Sequence, residues 1–271
     1  MLHSDFMGHR RRRWLALALI CMFSAPPAFG QFGRERLRPR LATADDFDGS
    51  WQLCRLAYQG RGWGTDYPDA DYNFSTRLSE LTKTAVSRHP TGDPRPLIVR
   101  PMDDTLFRCG FVMLWQAESL YFSAEEAMRV RDYLRKGGFI WSDDSWGSYA
   151  WENFAREMAK VLPPSEFPFV DIPPDHAIFR ALFHVQHVPQ IPGISFWFGT
   201  GGLTSERGAE SATVNVRGMF DSHGRLMVLS THNTDIADGW EREGASPEYF
   251  HRFSVDSYAV GVNVAVYTML N

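Results

Sequence analysis

The chain has 271 residues, a formal net charge of −4 at pH 7, 44% hydrophobic residues and 14% aromatic residues. Such apolar content supports a packed core and excludes a disordered chain, and the length suits one large domain behind a short leader. An acidic balance with scattered Lys and Arg excludes nucleic acid and anionic membrane surfaces as main partners.

The first 30 residues read as a secretory signal. Arg10 to Arg13 form a charged start, Trp14 to Phe23 form a short apolar run, and Ala28-Phe29-Gly30 places small residues where a signal peptidase reads them. The run is too short to span a bilayer comfortably, so no integral span is expected after cleavage; an uncleaved anchor is the alternative. Arg11-Arg12-Arg13-Trp14-Leu15 also fits the twin-arginine pattern loosely. An exported, periplasmic chain is therefore expected, by the Sec or the twin-arginine route. Residues 31–46, basic and Pro-containing, read as a tether, and residues 47–271 as a single α/β domain.

Strands and helices then alternate. Trp51–Tyr58 reads as a strand, and Phe74, Leu78, Leu81 and Ala85 carry helical spacing over Phe74–Val86. "PLIVRP" is a short strand. Gly110–Gln116 is a continuous apolar run, the pattern of a strand buried on both faces. Ser123 and Glu126 form a capping box that opens a helix closed by Gly137. Phe139–Asp144 is another buried strand, and "SYAWENFAREMAKVLPP" a helix stopped by Pro163. This order predicts a mostly parallel sheet of five or more strands, ordered near 2-1-3-4-5, with helices on both faces. Beyond it, "ISFWFGTGG", "SATVNVRGMF" and Arg225–Ser230 read as strands. The C-terminus is ambiguous: "VGVNVAVY" alternates like a strand, yet Tyr258, Val262, Ala265 and Met269 share a helical face.

Parallel sheets bind ligands beyond the carboxyl ends of their strands. The segments that follow the predicted strands carry Trp63 and Asp66, then Gln116 and Glu118, then Asp143, Asp144 and Trp146, then Asn233, Asp235 and Trp240. These are the candidate ligand-binding residues. Gly60, Gly62 and Gly64 match neither a P-loop nor the dinucleotide fingerprint and read as a tight turn off the first strand. That turn is expected to lean Trp63 and Asp66 over the edge, beside Gln116, Asp143 and Trp146. Asp143 and Asp144 suit cation coordination, acid–base work or helix capping. His184 and His187 lack a third ligand for zinc and read as packing residues; His176 reads as a cap of a short helix. No cofactor and no metal-ligand set is assigned. Cys54 and Cys109 are either bridged or ordinary buried thiols. No G-x-S-x-G elbow is present.

"RLAYQGRGWGTDYPDADYNFSTRLSELTK", "YFSAEEAMRVRDYLRKGGFIWSDDSWG", "DHAIFRALFHVQHVPQIPGISFW" and "GRLMVLSTHNTDIADGWE" together resemble the bacterial domain of unknown function 4159 family, over about Trp51 to Asn271. The resemblance implies the class I glutamine amidotransferase-like superfamily, a flavodoxin-like three-layer α/β sandwich with a mostly parallel central sheet. It implies an exported or envelope setting, a helical C-terminus and no established activity. Amidotransferases place a Cys nucleophile after the third strand; here Gln116-Ala117-Glu118 follow it, so amidotransferase chemistry is not implied. Three functions fit: a non-catalytic module that binds a carbohydrate or envelope component, a glycan hydrolase using Asp143 or Asp144 with Glu118 or Asp235, and a structural envelope protein with a vestigial pocket. The scarcity of basic residues near the rim favours a neutral polyol or a cation over an anion.

Overall fold

A computed structural model describes residues 39–271. The leader and most of the tether lie outside the described residues. The strands are β1 (Cys54–Leu56), β2 (Leu97–Val99), β3 (Val112–Trp115), β4 (Ile140–Asp143), β5 (Val170–Asp171), β6 (Asn215–Phe220) and β7 (Leu226–His232). They form one seven-stranded sheet in the order β2-β1-β3-β4-β7-β6-β5. The first five strands in that order run parallel, with Val112 opposite Ile140 and Ile140 opposite Val228, while β6 and β5 add antiparallel at the edge. The expected 2-1-3-4 order holds. The place beside β4 goes to β7, because the hairpin turn at Ser222-His223-Gly224 folds β6 onto β7's far side.

The helices are α1 (Asp69–Thr82), α2 (Ala124–Arg135), α3 (Gly147–Val161), α4 (Ile194–Thr200), α5 (Ile236–Glu241), the single turn α6 (Pro247–Tyr249) and α7 (Val255–Leu270). Two apolar cores lie against the sheet. Leu53, Phe74, Phe111, Trp115, Trp141 and Trp240 belong to one, and Leu56, Leu114, Val130, Ile140, Phe154 and Val228 to the other. Alternate residues of β3 and β4 supply both cores, as expected for strands buried on both faces. The Ser123–Glu126 capping box is present at the start of α2, and His176 Nδ1 accepts the Ile178 N–H at a short 3-10 turn.

Two sequence expectations are corrected. "ISFWFGTGG" is a helix, α4, ending at Gly201 in the left-handed region (φ 72°). Its aromatic run resembles a strand, but Asp238 accepts the Ile194 N–H, and Gly201 donates to carbonyls of the last turn, so both helix ends are satisfied. Helix α1 starts at Asp69 rather than Phe74, because Asp71, polar in sequence, is buried beneath Arg55. The C-terminal ambiguity resolves as helix α7. Its residues Val260 to Ala265 are buried all round, which erases the one-sided stripe by which helices are recognised.

Cys54 and Cys109 are joined by a disulfide with Cα atoms 6.0 Å apart, tying the start of β1 to the turn before β3. No helix among the described residues is long and apolar enough to cross a membrane.

Candidate functional site

Four of the strands that reach the carboxyl edge hand the chain to a non-glycine residue with positive φ: Asp66 (56°) after β1, Gln116 (49°) after β3, Asp144 (51°) after β4 and Asn233 (64°) after β7. Such residues are uncommon outside glycine and reverse the chain sharply. β3, β4 and β7 therefore end at once in an abrupt turn, whereas Asp66 turns the chain ten residues beyond Leu56, within the long loop after β1; all four residues are among the candidates read from the sequence.

The loop after β1 is shaped by two contacts. A Cβ on Gly60 would lie 2.2 Å from the Ser119 carbonyl, and one on Gly62 would lie 2.5 Å from Gln116 Oε1, with φ 106° there. The glycines thus let this loop lie directly on the loop after β3. From below, the fully buried Arg55 donates to the carbonyls of Trp63 (2.8 Å) and Thr65. Its guanidinium lies 3.5 Å from the Trp115 ring centre and pairs with Asp71. The expected position of Trp63 is not what this geometry delivers: its carbonyl turns to Arg55, while its ring lines a groove with Leu41, Tyr58, Arg100 and Met102. Asp66 is delivered to the rim.

Asp143 is fully buried and committed. It accepts from Thr231 Oγ1 (2.5 Å) and from the Ala237 N–H at the start of α5 (3.0 Å). Asp144, 8% exposed, accepts from the indole of the half-buried Trp146 (3.2 Å), and the Gln116 side chain favours its charged form. Asn233 is a structural clamp: Oδ1 accepts from Gly147 N–H (2.9 Å) and Nδ2 donates to the Thr213 carbonyl (2.8 Å). Asp235 caps α5 by accepting the Asp238 N–H (2.9 Å). Glu118 is half-buried, with Oε2 shielded and unpartnered. Trp240 lies in the core, stacked on Phe74 at 4.2 Å between ring centres and set edge-on to Trp141, so its ring faces no ligand.

Three more acids join the cluster. Asp238 accepts the Ile194 N–H (2.8 Å) and lies 3.0 Å from the Tyr249 hydroxyl. Glu241 sits one turn on, 2.7 Å from Arg242. Glu206 accepts the Gly193 N–H (2.7 Å). Asp238 and Glu241 stand in the same "THNTDIADGWE" segment as Asp235, where their i+3 and i+6 spacing places them along one helix face. Glu206 and Tyr249 come from remote segments and leave no signal in the sequence.

Burial dominates the electrostatics. It raises Asp143 to about 7, despite hydrogen bonds that favour its charge, and Asp144 to about 8, with Asp143, Glu118 and Glu206 adding repulsion. Burial and then the neighbouring acids push Asp66 and Asp235 well above the ordinary carboxylate range, and raise Glu241 to about 8. The guanidiniums acting on the cluster are those of Arg55, already paired with Asp71, and of Arg242 and Arg207 at its margins. A buried cluster with so many carboxyl groups and so few cations keeps protons, or takes up a cation or hydrogen-bond donors in their place.

A search of curated proteins returned no match. The profile of the family described as Domain of unknown function (DUF4159) matches residues 52–269, which include every strand and every candidate residue. The chain belongs to the domain of unknown function 4159 family.

Proposed function

We propose that this chain is an exported binding module that recognises a polar ligand, a carbohydrate or envelope component, at the carboxyl edge of its sheet. The observation that carries this reading is the convergence of Asp66, Asp144, Asp235 and Asp238 in one buried cluster without matching cations. Their carboxyl groups exchange hydrogen bonds with hydroxyls or ammonium groups and offer an anion no matching cation. Trp146, whose indole orients Asp144, offers an aromatic face beside them. A flavodoxin-like fold of the glutamine amidotransferase-like type is supported by the 2-1-3-4 strand order and by the site's position at the carboxyl edge. Export is supported by the leader-like N-terminus and by the Cys54–Cys109 bridge, since such bonds persist in oxidising compartments.

The test is calorimetry of the wild type and of Asp144→Asn against neutral glycans, amino sugars and polyamines. Asn tolerates the left-handed backbone at this position. Saturable binding by the wild type, weakened at least about tenfold in the variant, a loss of about 1.4 kcal/mol, is expected. No binding to any member of the panel would sink the reading.

One observation favours a second reading, a glycan hydrolase. Asp144 keeps its proton near neutral pH, as a general acid requires. Loss of glycan cleavage in Asp144→Asn, with binding retained, would select it.

A further inference from the structure

Within the cluster, Asp66, Asp235 and Asp238 each bring one carboxylate oxygen to within 4.8 Å of the other two. They come from three places: the turn after β1, the turn after β7 and the first turn of α5. Two of them have a role in the fold. Asp235 Oδ1 caps α5, and Asp238 Oδ2 receives the Ile194 N–H and lies beside the Tyr249 hydroxyl.

Asp66 differs. Its Oδ2 is shielded from solvent and has no hydrogen-bond partner, and its other oxygen meets only Thr65 Oγ1 at 3.4 Å. Leaving a carboxyl oxygen enclosed and unpaired is costly. The loop nonetheless turns through a positive φ to hold it against two further carboxylates, while Arg55, close by, is spent on Asp71 and on the Trp63 and Thr65 carbonyls. A carboxyl with an enclosed, partnerless oxygen, held beside two others, is what a missing ligand leaves behind.

We propose that Asp66, Asp235 and Asp238 together chelate one hard divalent cation, calcium fitting best, and that this ion presents its remaining coordination positions to the polar ligand. The donors are all carboxylate oxygens, with no sulfur and no imidazole, which selects oxygen-seeking ions. Calcium holds oxygens at about 2.3–2.6 Å in a loose shell of 6–8 ligands, which tolerates carboxylates already fixed by helix capping, as Asp235 and Asp238 are. Magnesium, at about 2.0–2.1 Å, demands a tighter octahedron. The proposal rests on the carboxyl edge being the ligand site and names the chemistry by which it binds.

The experiment is titration of the chelator-stripped full chain with calcium chloride, and separately with magnesium chloride, by calorimetry and by thermal unfolding. Asp66→Asn is the main variant, since Asn keeps the turn and Asp66 supports little else. Asp235→Asn, which still caps α5, is the second, and Asp171→Asn, 83% exposed, is the control. The expected result is one saturable calcium site per chain, a raised unfolding temperature, and an affinity at least tenfold lower in Asp66→Asn and Asp235→Asn but unchanged in Asp171→Asn. Tighter magnesium than calcium binding would overturn the choice of ion. No saturable binding of either ion, or equal binding by wild type and Asp66→Asn, would overturn the site itself. The two proposals fail separately. Glycan or amine binding that persists in chelator without any metal binding keeps the ligand reading and removes the cation; calcium binding with no ligand from the panel does the reverse.

Discussion

Arg55 on β1 and Asp71 on α1 form an ion pair with both side chains fully buried, the Arg55 Nε donating to Asp71 Oδ2 at 3.1 Å. The same guanidinium holds the Trp63 and Thr65 carbonyls and lies on the Trp115 ring, so one side chain joins a strand, a helix and the loop that carries Asp66. Removing one partner leaves an uncompensated buried charge. Asp71→Asn is expected to destabilise the chain by about 3–5 kcal/mol, read from urea denaturation midpoints. A loss below about 1 kcal/mol would show the pair to be dispensable.

The first two glycines of the loop, Gly60 and Gly62, act differently from the third, Gly64. Gly62→Ala places a methyl against the Gln116 side chain at a positive φ, whereas nothing lies within 4 Å of a Cβ on Gly64. Gly62→Ala is expected to cost about 1–3 kcal/mol and Gly64→Ala less than about 0.5 kcal/mol. Similar losses at both positions in denaturant titrations would contradict the packing described.

Much of this architecture was legible in the sequence, for physical reasons that differ by element. Val112–Trp115 and Ile140–Asp143 are apolar on both faces because both faces are covered, and that pattern marks parallel strands. The acids at Asp66, Asp143, Asp144 and Asp235 follow from the rule that parallel strands deliver their next residues to one edge. The directions of Trp63 and Trp240 did not follow, since a ring's direction is set by how the backbone turns under Arg55 or how α5 packs on Phe74. Strand-like aromatics hid α4, and uniform burial hid the helical face of α7. Glu206 and Tyr249 reach the acidic cluster only through the tertiary fold.

Reducing the Cys54–Cys109 bridge opens a loop spanning a sequence separation of 55 residues. Chain-entropy reasoning puts the loss at about 4 kcal/mol at most. The paired substitution Cys54→Ala/Cys109→Ala is expected to lower stability by about 2–4 kcal/mol; an unchanged denaturation midpoint would rule out a stabilising bridge.

The buried acids set a pH dependence. Asp143 and Asp144 sit near 7 and 8, whereas an unfolded Asp ionises near about 3.9. Between those values the folded chain holds protons that the unfolded chain has released, so stability falls as pH rises. In chelating buffer the unfolding temperature is expected to be higher at pH 6 than at pH 8.5, and Asp144→Asn to flatten the difference. An unfolding temperature that climbs over that interval would contradict the assignment of cause to burial.

Whether the carboxyl edge is the place of recognition is decided by amide chemical shifts, recorded as the ligand panel and calcium chloride are titrated into isotope-labelled chain. Concerted shifts at Asp66, Gln116, Asp144 and Asp235, with the opposite edge around Gly138 and Arg225 still, are the predicted result. Saturable shifts confined to that opposite edge, or to the groove beside Trp63 and Met102, would contradict it.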